Sequence, residues 1–82
     1  MRELVKEEDV ARRIKTIRTS RGLTLTQVGE KLGKTHSAVG NQEKHPLSMS
    51  VRSLMEYADI YGCKVSDFFV PFEHTVREYN VE

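Results

Sequence analysis

Apolar residues along the chain recur at helical spacing in four separated stretches. Val10, Ile14 and Ile17 stand at i, i+4 and i+7, one stripe of a first helix predicted over residues 7–20. Glu7, Glu8 and Asp9 lie at its start and Arg18 and Arg21 at its end, the signs that a helix dipole favours. Gly22 is its natural left-handed stop. A second helix is predicted over residues 25–32. Thr24 and Gln27 form a Thr-x-x-Gln capping box, Val28 and Leu32 face inward, and Gly33 ends the helix. Gly29, between the two apolar positions, would admit another helix backbone closely.

The third predicted helix, residues 35–44, departs from this pattern. Thr35 is a plausible N-cap, but Ala38 and Val39 are its only clear apolar residues. Its own burial cannot hold so polar a helix. It must rest on other helices with most of its surface in water. Pro46 disfavours helix at His45, so residues 45–49 read as a loop. The fourth helix, residues 50–61, has Ser50 as cap, Val51, Leu54, Met55 and Ala58 as core stripe, and Gly62 as stop. Asp67, Phe68 and Phe69 begin a short fifth helix, capped by Ser66 and halted by Pro71. The fold class is thus all-α, a five-helix bundle over residues 7–69. An N-terminal arm of residues 1–6 precedes it and a tail of residues 70–82 follows. Phe72, Val76, Tyr79 and Val81 make the tail rich in apolar groups. It can fold back on the core, pair with a second subunit or remain disordered.

With 82 residues the chain forms one domain, burying about 60–65% of the surface its unfolded form exposes. A deep catalytic cleft is hard to build at this size. No apolar run is long enough to span a bilayer, and the charged start lacks the apolar core of a signal peptide. Cys63 is the only cysteine, which fits a small buried hydrophobe in a reduced, cytoplasmic setting. His36, His45 and His74 are widely spaced, and no metal-ligand pattern, nucleophile elbow or phosphate loop is present. The expectation is no enzyme, no metal and no cofactor. Tyr57, Tyr61 and Tyr79 read as residues that pack or cap the surface. The net charge of +1 is uninformative, but its distribution is not. Residues 10–47 carry eight basic against two acidic side chains, a net +6, between acidic ends. Such a segment can face phosphates. The bland alternative is a solvated helix surface without a partner.

The order helix, Gly33-containing turn, polar helix has the length of a helix-turn-helix unit. The matching residues are Ile14, Ile17, Arg18, Gly22, Leu23 and Thr24, the run Val28 to Gly33, Ser37, Val39 and Glu43. Leu54, Met55, Tyr57, Ala58, Gly62, Val65, Asp67, Phe68 and Phe69 follow. In this order and spacing the chain resembles the Cro and phage-repressor (XRE) type of helix-turn-helix protein, over roughly Val10 to Phe69.

The resemblance implies a double-stranded DNA-binding regulator, most simply a repressor. The third helix would lie in the major groove and the second would cross the backbone. The base-reading positions would be Thr35, His36, Ser37, Gly40 and Asn41, with Asn41 able to pair with an adenine edge. Thr24, Thr26, Gln27, Lys34, Lys44 and His45 would meet phosphates. Arg18 and Glu43 would form a structural ion pair from the first helix to the end of the third. One such unit covers one half-site, so a homodimer is implied. The sequence departs from the family pattern at Leu25, where Gln is usual, and at Lys34 and Gln42, where apolar residues are usual. Gly29 and Gly40 replace the commoner Ala and Ser. The missing Gln at position 25 and the acidic C-terminal third support an alternative, a protein-interaction module on the same fold.

Overall fold

A computed structural model describes residues 6–69. The predicted fifth-helix continuation past Phe69, the tail and most of the N-terminal arm lie outside them. Four α-helices follow one another: α1 (Glu7–Ser20), α2 (Leu25–Leu32), α3 (His36–Lys44) and α4 (Val51–Tyr61). A 3-10 turn, Pro46–Ser48, joins α3 to α4, and a second, Val65–Phe68, follows α4.

The helix boundaries follow local chemistry. Thr24 Oγ1 accepts from the Gln27 amide at 3.1 Å while Gln27 Oε1 accepts from the Thr24 amide at 2.9 Å. This is the predicted reciprocal box, and it satisfies two otherwise free amides. Thr35 and Ser50 cap α3 and α4 through the amides of Ala38 and Ser53. Gly33 and Gly62 close α2 and α4 in left-handed geometry, φ 71° and 69°.

The core is built from Val10 and Ile14 of α1, Val28 of α2, Val39 of α3, Leu54, Tyr57, Ala58 and Tyr61 of α4, and Phe68. Two expectations are corrected here. The inner stripe of α4 is Leu54, Tyr57, Ala58 and Tyr61, whereas Val51 and Met55 are 69% and 58% exposed. Tyr57 and Tyr61 are almost fully buried, and the ring of Tyr61 meets Phe68 edge-on with centroids 6.3 Å apart. Two large rings one turn apart claim the inner arc and rotate the helix, putting Val51 and Met55 on its outer side. Burial of Tyr57 is possible because its hydroxyl donates to Gln42 Oε1.

The second correction concerns the fifth element. It is a 3-10 turn that begins at Val65, not an α-helix begun at Asp67 with Ser66 as cap. Asp67 is the capping group: its carboxylate accepts from the Lys64 amide at 3.0 Å. The Phe68 carbonyl is taken by Arg13 of α1 at 3.2 Å, so it is engaged outside the helical ladder.

Gly29 does admit a close backbone, but from the turn rather than another helix. A Cβ there would collide with the Lys34 carbonyl oxygen and sit 3.3 Å from its carbon. The Lys34 amide donates to the Gly29 carbonyl at 2.8 Å. The chain folds tightly over α2 at this point and launches α3 in a fixed direction.

Candidate nucleic-acid interface

Two buried side chains one turn apart, Val39 and Glu43, hold α3 to the bundle. Val39 sits in the apolar core. Glu43 meets Arg18 of α1 in a fork: Nε to Oε2 at 2.7 Å and Nη2 to Oε1 at 3.2 Å. Arg18 also donates through Nη1 to the Leu23 carbonyl at 2.8 Å. The glutamate holds the Arg18 guanidinium above its ordinary pKa, against the opposing effect of burial. The expected ion pair is therefore present, buried and doubly bonded.

Lys34 and Gln42, the two polar departures from the family pattern, satisfy each other. Lys34 Nζ donates to Gln42 Oε1 at 2.8 Å, and the ammonium lies 5.8 Å from the centroid of the Tyr57 ring. One oxygen thus receives the lysine and the buried tyrosine together. Lys34 is half-buried, with its charge turned toward α4.

Since Val39 and Glu43 face inward, helical rotation places Ser37, Asn41 and Lys44 on the outer arc of α3, and all three are exposed. Thr35 and His36 are exposed at the helix start and His45 at its end. The Thr35 hydroxyl already accepts from the Ala38 amide at 3.1 Å, which leaves its own proton to donate. Gly40 is half-buried beside α2, where a Cβ would lie 3.4 Å from Leu25 Cδ1. Leu25 thus packs against the core and beside α3 at Gly40. Thr24, Thr26 and Gln27 are exposed around the α2 start. Thr24 and Gln27 are engaged in the capping box through one oxygen each, with the Gln27 amino group uncommitted by it.

Ala38 was not among the expected site residues, yet it is exposed on the same helix, one turn before Asn41. Its position three residues before Asn41 was the available signal. Its methyl is a short apolar surface beside polar neighbours, of the kind that meets a thymine methyl.

The basic middle segment is less of a free face than its count implies. Arg18 is neutralised by Glu43, and Arg12 pairs with Asp9. Arg21 Nε donates to the Tyr61 carbonyl at 2.7 Å and Arg13 to that of Phe68, so both cover the ends of neighbouring elements. Lys15, Lys31 and Lys44 remain exposed. Burial pushes the half-buried Cys63 thiol above its ordinary pKa, with Asp67 adding to the effect, which is opposite to the activation a reactive cysteine needs. No described helix is long and apolar enough to cross a membrane.

The helix-turn-helix family model matches residues 14–68, which takes in the Arg18–Glu43 fork, α2, the glycine turn and α3. Two curated relatives are similar, the HTH-type transcriptional regulator PuuR of Escherichia coli (strain K12) and that of Shigella flexneri. Each is 33% identical over 58 residues, covering 71% of this chain and 31% of the relative. The chain therefore spans about a third of the length of these relatives. No solved structure matches it. The Arg18–Glu43 fork, the glycine turn and the polar α3 are thus carried by a chain that belongs to the helix-turn-helix family of the Cro and phage-repressor (XRE) type.

Proposed function

We propose that this chain is a DNA-binding transcriptional regulator that reads double-stranded DNA by sequence, with α3 in the major groove, and acts as a repressor by occluding a promoter. The observation that carries this reading is the division of α3. Val39 and Glu43 anchor it, while Ser37, Ala38, Asn41 and Lys44 stand exposed on its other side. Its family membership and the name of its relatives, transcriptional regulators, support the same reading.

In this reading Asn41 makes the paired contact with an adenine, and Ser37, His36 and Thr35 contact neighbouring bases. Ala38 offers its methyl to a thymine. Gly40, whose absent Cβ faces Leu25 of α2, is expected to read no base and instead lets α3 lie close to α2. Lys44, His45, Thr24, Thr26 and Gln27 bind phosphates, the last three near the positive end of α2. Lys34 contributes chiefly by holding the start of the unit against Gln42 and Tyr57. The protein works in the cytoplasm as a homodimer on two half-sites about 34 Å apart.

Selection from a random duplex pool tests this, with Asn41→Ala in parallel. An inverted repeat should be enriched, with one position relaxed in the variant. Affinity should fall with salt on a log-log slope of roughly −4 to −8, from a few phosphate contacts per subunit. A folded protein that enriches nothing, with Asn41→Ala indistinguishable, would sink the reading in favour of a protein-interaction module.

A further inference from the structure

Lys34 and Tyr57 fix which way the amide of Gln42 faces. An ammonium only donates, so the Gln42 atom 2.8 Å from Lys34 Nζ must be the carbonyl oxygen. The Tyr57 hydroxyl donates to the same oxygen. Both lone pairs of that oxygen are then taken, and turning the amide over would set its amino group against the ammonium. The amino group carries two N–H donors, and no described residue accepts from either. Among the described residues the buried side-chain polar atom without a partner is the Tyr61 hydroxyl. The Gln42 amino group, also without a partner, is therefore open to solvent, although the side chain as a whole is half-buried.

Its place on α3 decides what the amino group meets. Gly40 faces α2, and Gln42 lies about 200° further round the helix, on the opposite flank. Ala38 one turn before it and His45 one turn after it are exposed there. When a helix lies in the major groove, its outer arc faces the base edges and its flanks face the groove walls, which are sugar and phosphate. We infer that Gln42 is a donor-only contact to DNA. Its amino group donates to a phosphate oxygen on the groove wall beside α4, and Lys34 is the positioning residue that holds the amide in this sense. A glutamine with a free amide offers donor and acceptor together and can pair with adenine. One whose oxygen is occupied can serve only an acceptor. The Lys34 charge behind the amide polarises it toward donation, and its sign suits a phosphate. The inference rests on the DNA reading proposed above and adds a contact to it.

Duplexes selected from the random pool, with single phosphates replaced by neutral methylphosphonates, test it in the full chain. Gln42→Glu is the matching variant. Its carboxylate still accepts from Lys34 and Tyr57, so thermal melts should show it as stable as wild type. It should bind the unmodified duplex about tenfold or more weakly, because an anion replaces the donor. Neutralising one phosphate per half-site should recover most of that loss, while the same replacement should weaken wild type about tenfold. Replacements elsewhere should shift both proteins alike. The double variant Gln42→Leu with Tyr57→Phe leaves no phenol unpaired and should lose the wild-type response at that phosphate. Lys34→Met should lose it too, and Lys34→Arg should keep it. Superimposable profiles for wild type and both Gln42 variants overturn the contact. So does a relaxed preference at one base pair with no phosphate response, which would place the amino group on a base. A wild-type response kept in Lys34→Met overturns the positioning role. A wild type that selects no duplex overturns the DNA reading and this contact with it. One that selects a duplex but shows superimposable profiles contradicts only this contact.

Discussion

Removing the Arg18 guanidinium should unfold much of this domain. In Arg18→Met, Glu43 keeps a carboxylate that is 8% exposed and has lost both of its arginine bonds. Stranding a buried charge in this way costs about 3–5 kcal/mol. The Leu23 carbonyl also loses its donor, worth roughly 1 kcal/mol more. At about 0.05–0.15 kcal/mol per residue, a chain of this size holds only some 4–12 kcal/mol in total. The expected drop in Tm is at least about 16 °C, at roughly 4 °C or more per kcal/mol. Urea unfolding followed by circular dichroism measures the loss. The double variant Arg18→Met with Glu43→Leu removes both charges and leaves an apolar pair. It should return to within about 1–2 kcal/mol of wild type, because replacing a buried pair is far milder than breaking one. The loss in the single variant should persist at high salt, where only exposed pairs are screened. A single variant losing less than about 1 kcal/mol would refute the assigned role of the fork. A double variant no better than the single would refute the stranded charge as its cause.

Two glycines should respond oppositely to alanine. Gly29→Ala drives a Cβ into the Lys34 carbonyl and should destabilise by about 1–3 kcal/mol. Gly40→Ala meets only ordinary contact with Leu25 and should gain up to about 1 kcal/mol from helix propensity, with duplex binding little changed because the new methyl faces α2. Thermal melts and a binding titration check both, and equal effects on stability would contradict the packing described. Alkaline pH should unfold the protein through its buried tyrosines. Burial, helped by Glu43 and Glu56, pushes the Tyr57 phenol up to about 12, and burial also raises Tyr61. Unfolded tyrosines ionise near 10, so above about that pH the unfolded chain sheds protons that the folded one keeps. Stability contributed by each phenol is complete below about pH 10. It then falls by about 1.4 kcal/mol per pH unit until the folded group titrates. Tyrosinate absorbance should rise together with loss of helical signal. Ionisation of all three tyrosines at full helicity would contradict it.

Capping chemistry made the helix boundaries legible from sequence. Thr24 with Gln27, Thr35, Ser50, Gly33 and Gly62 each act within a few residues of themselves. The Arg18–Glu43 pair was legible only through the family resemblance, since nothing local joins residues 25 positions apart. The inner face of α4 was misread because tyrosine counts as amphipathic. The hydroxyl of Tyr57 is satisfied by Gln42, which comes from a different helix. The basic segment was overcounted for a similar reason: Arg13 and Arg21 serve carbonyls that fall beside them only in the folded chain. The exposure of Ala38 was not legible because a small apolar residue in a polar helix invites a core assignment.

The attachment of α3 by Val39 and Glu43 also shapes how such a protein can change. Ser37, Ala38, Asn41 and Lys44 take no part in holding the helix down, so their replacement leaves the scaffold intact. On the function proposed above, a new combination of these side chains would be a new reading head on the same handle. The tight crossing at Gly29 keeps that handle pointing the same way whatever letters are changed. If α3 reads DNA as proposed, diversification would proceed by rewriting four surface positions, with stability and target choice drifting almost independently.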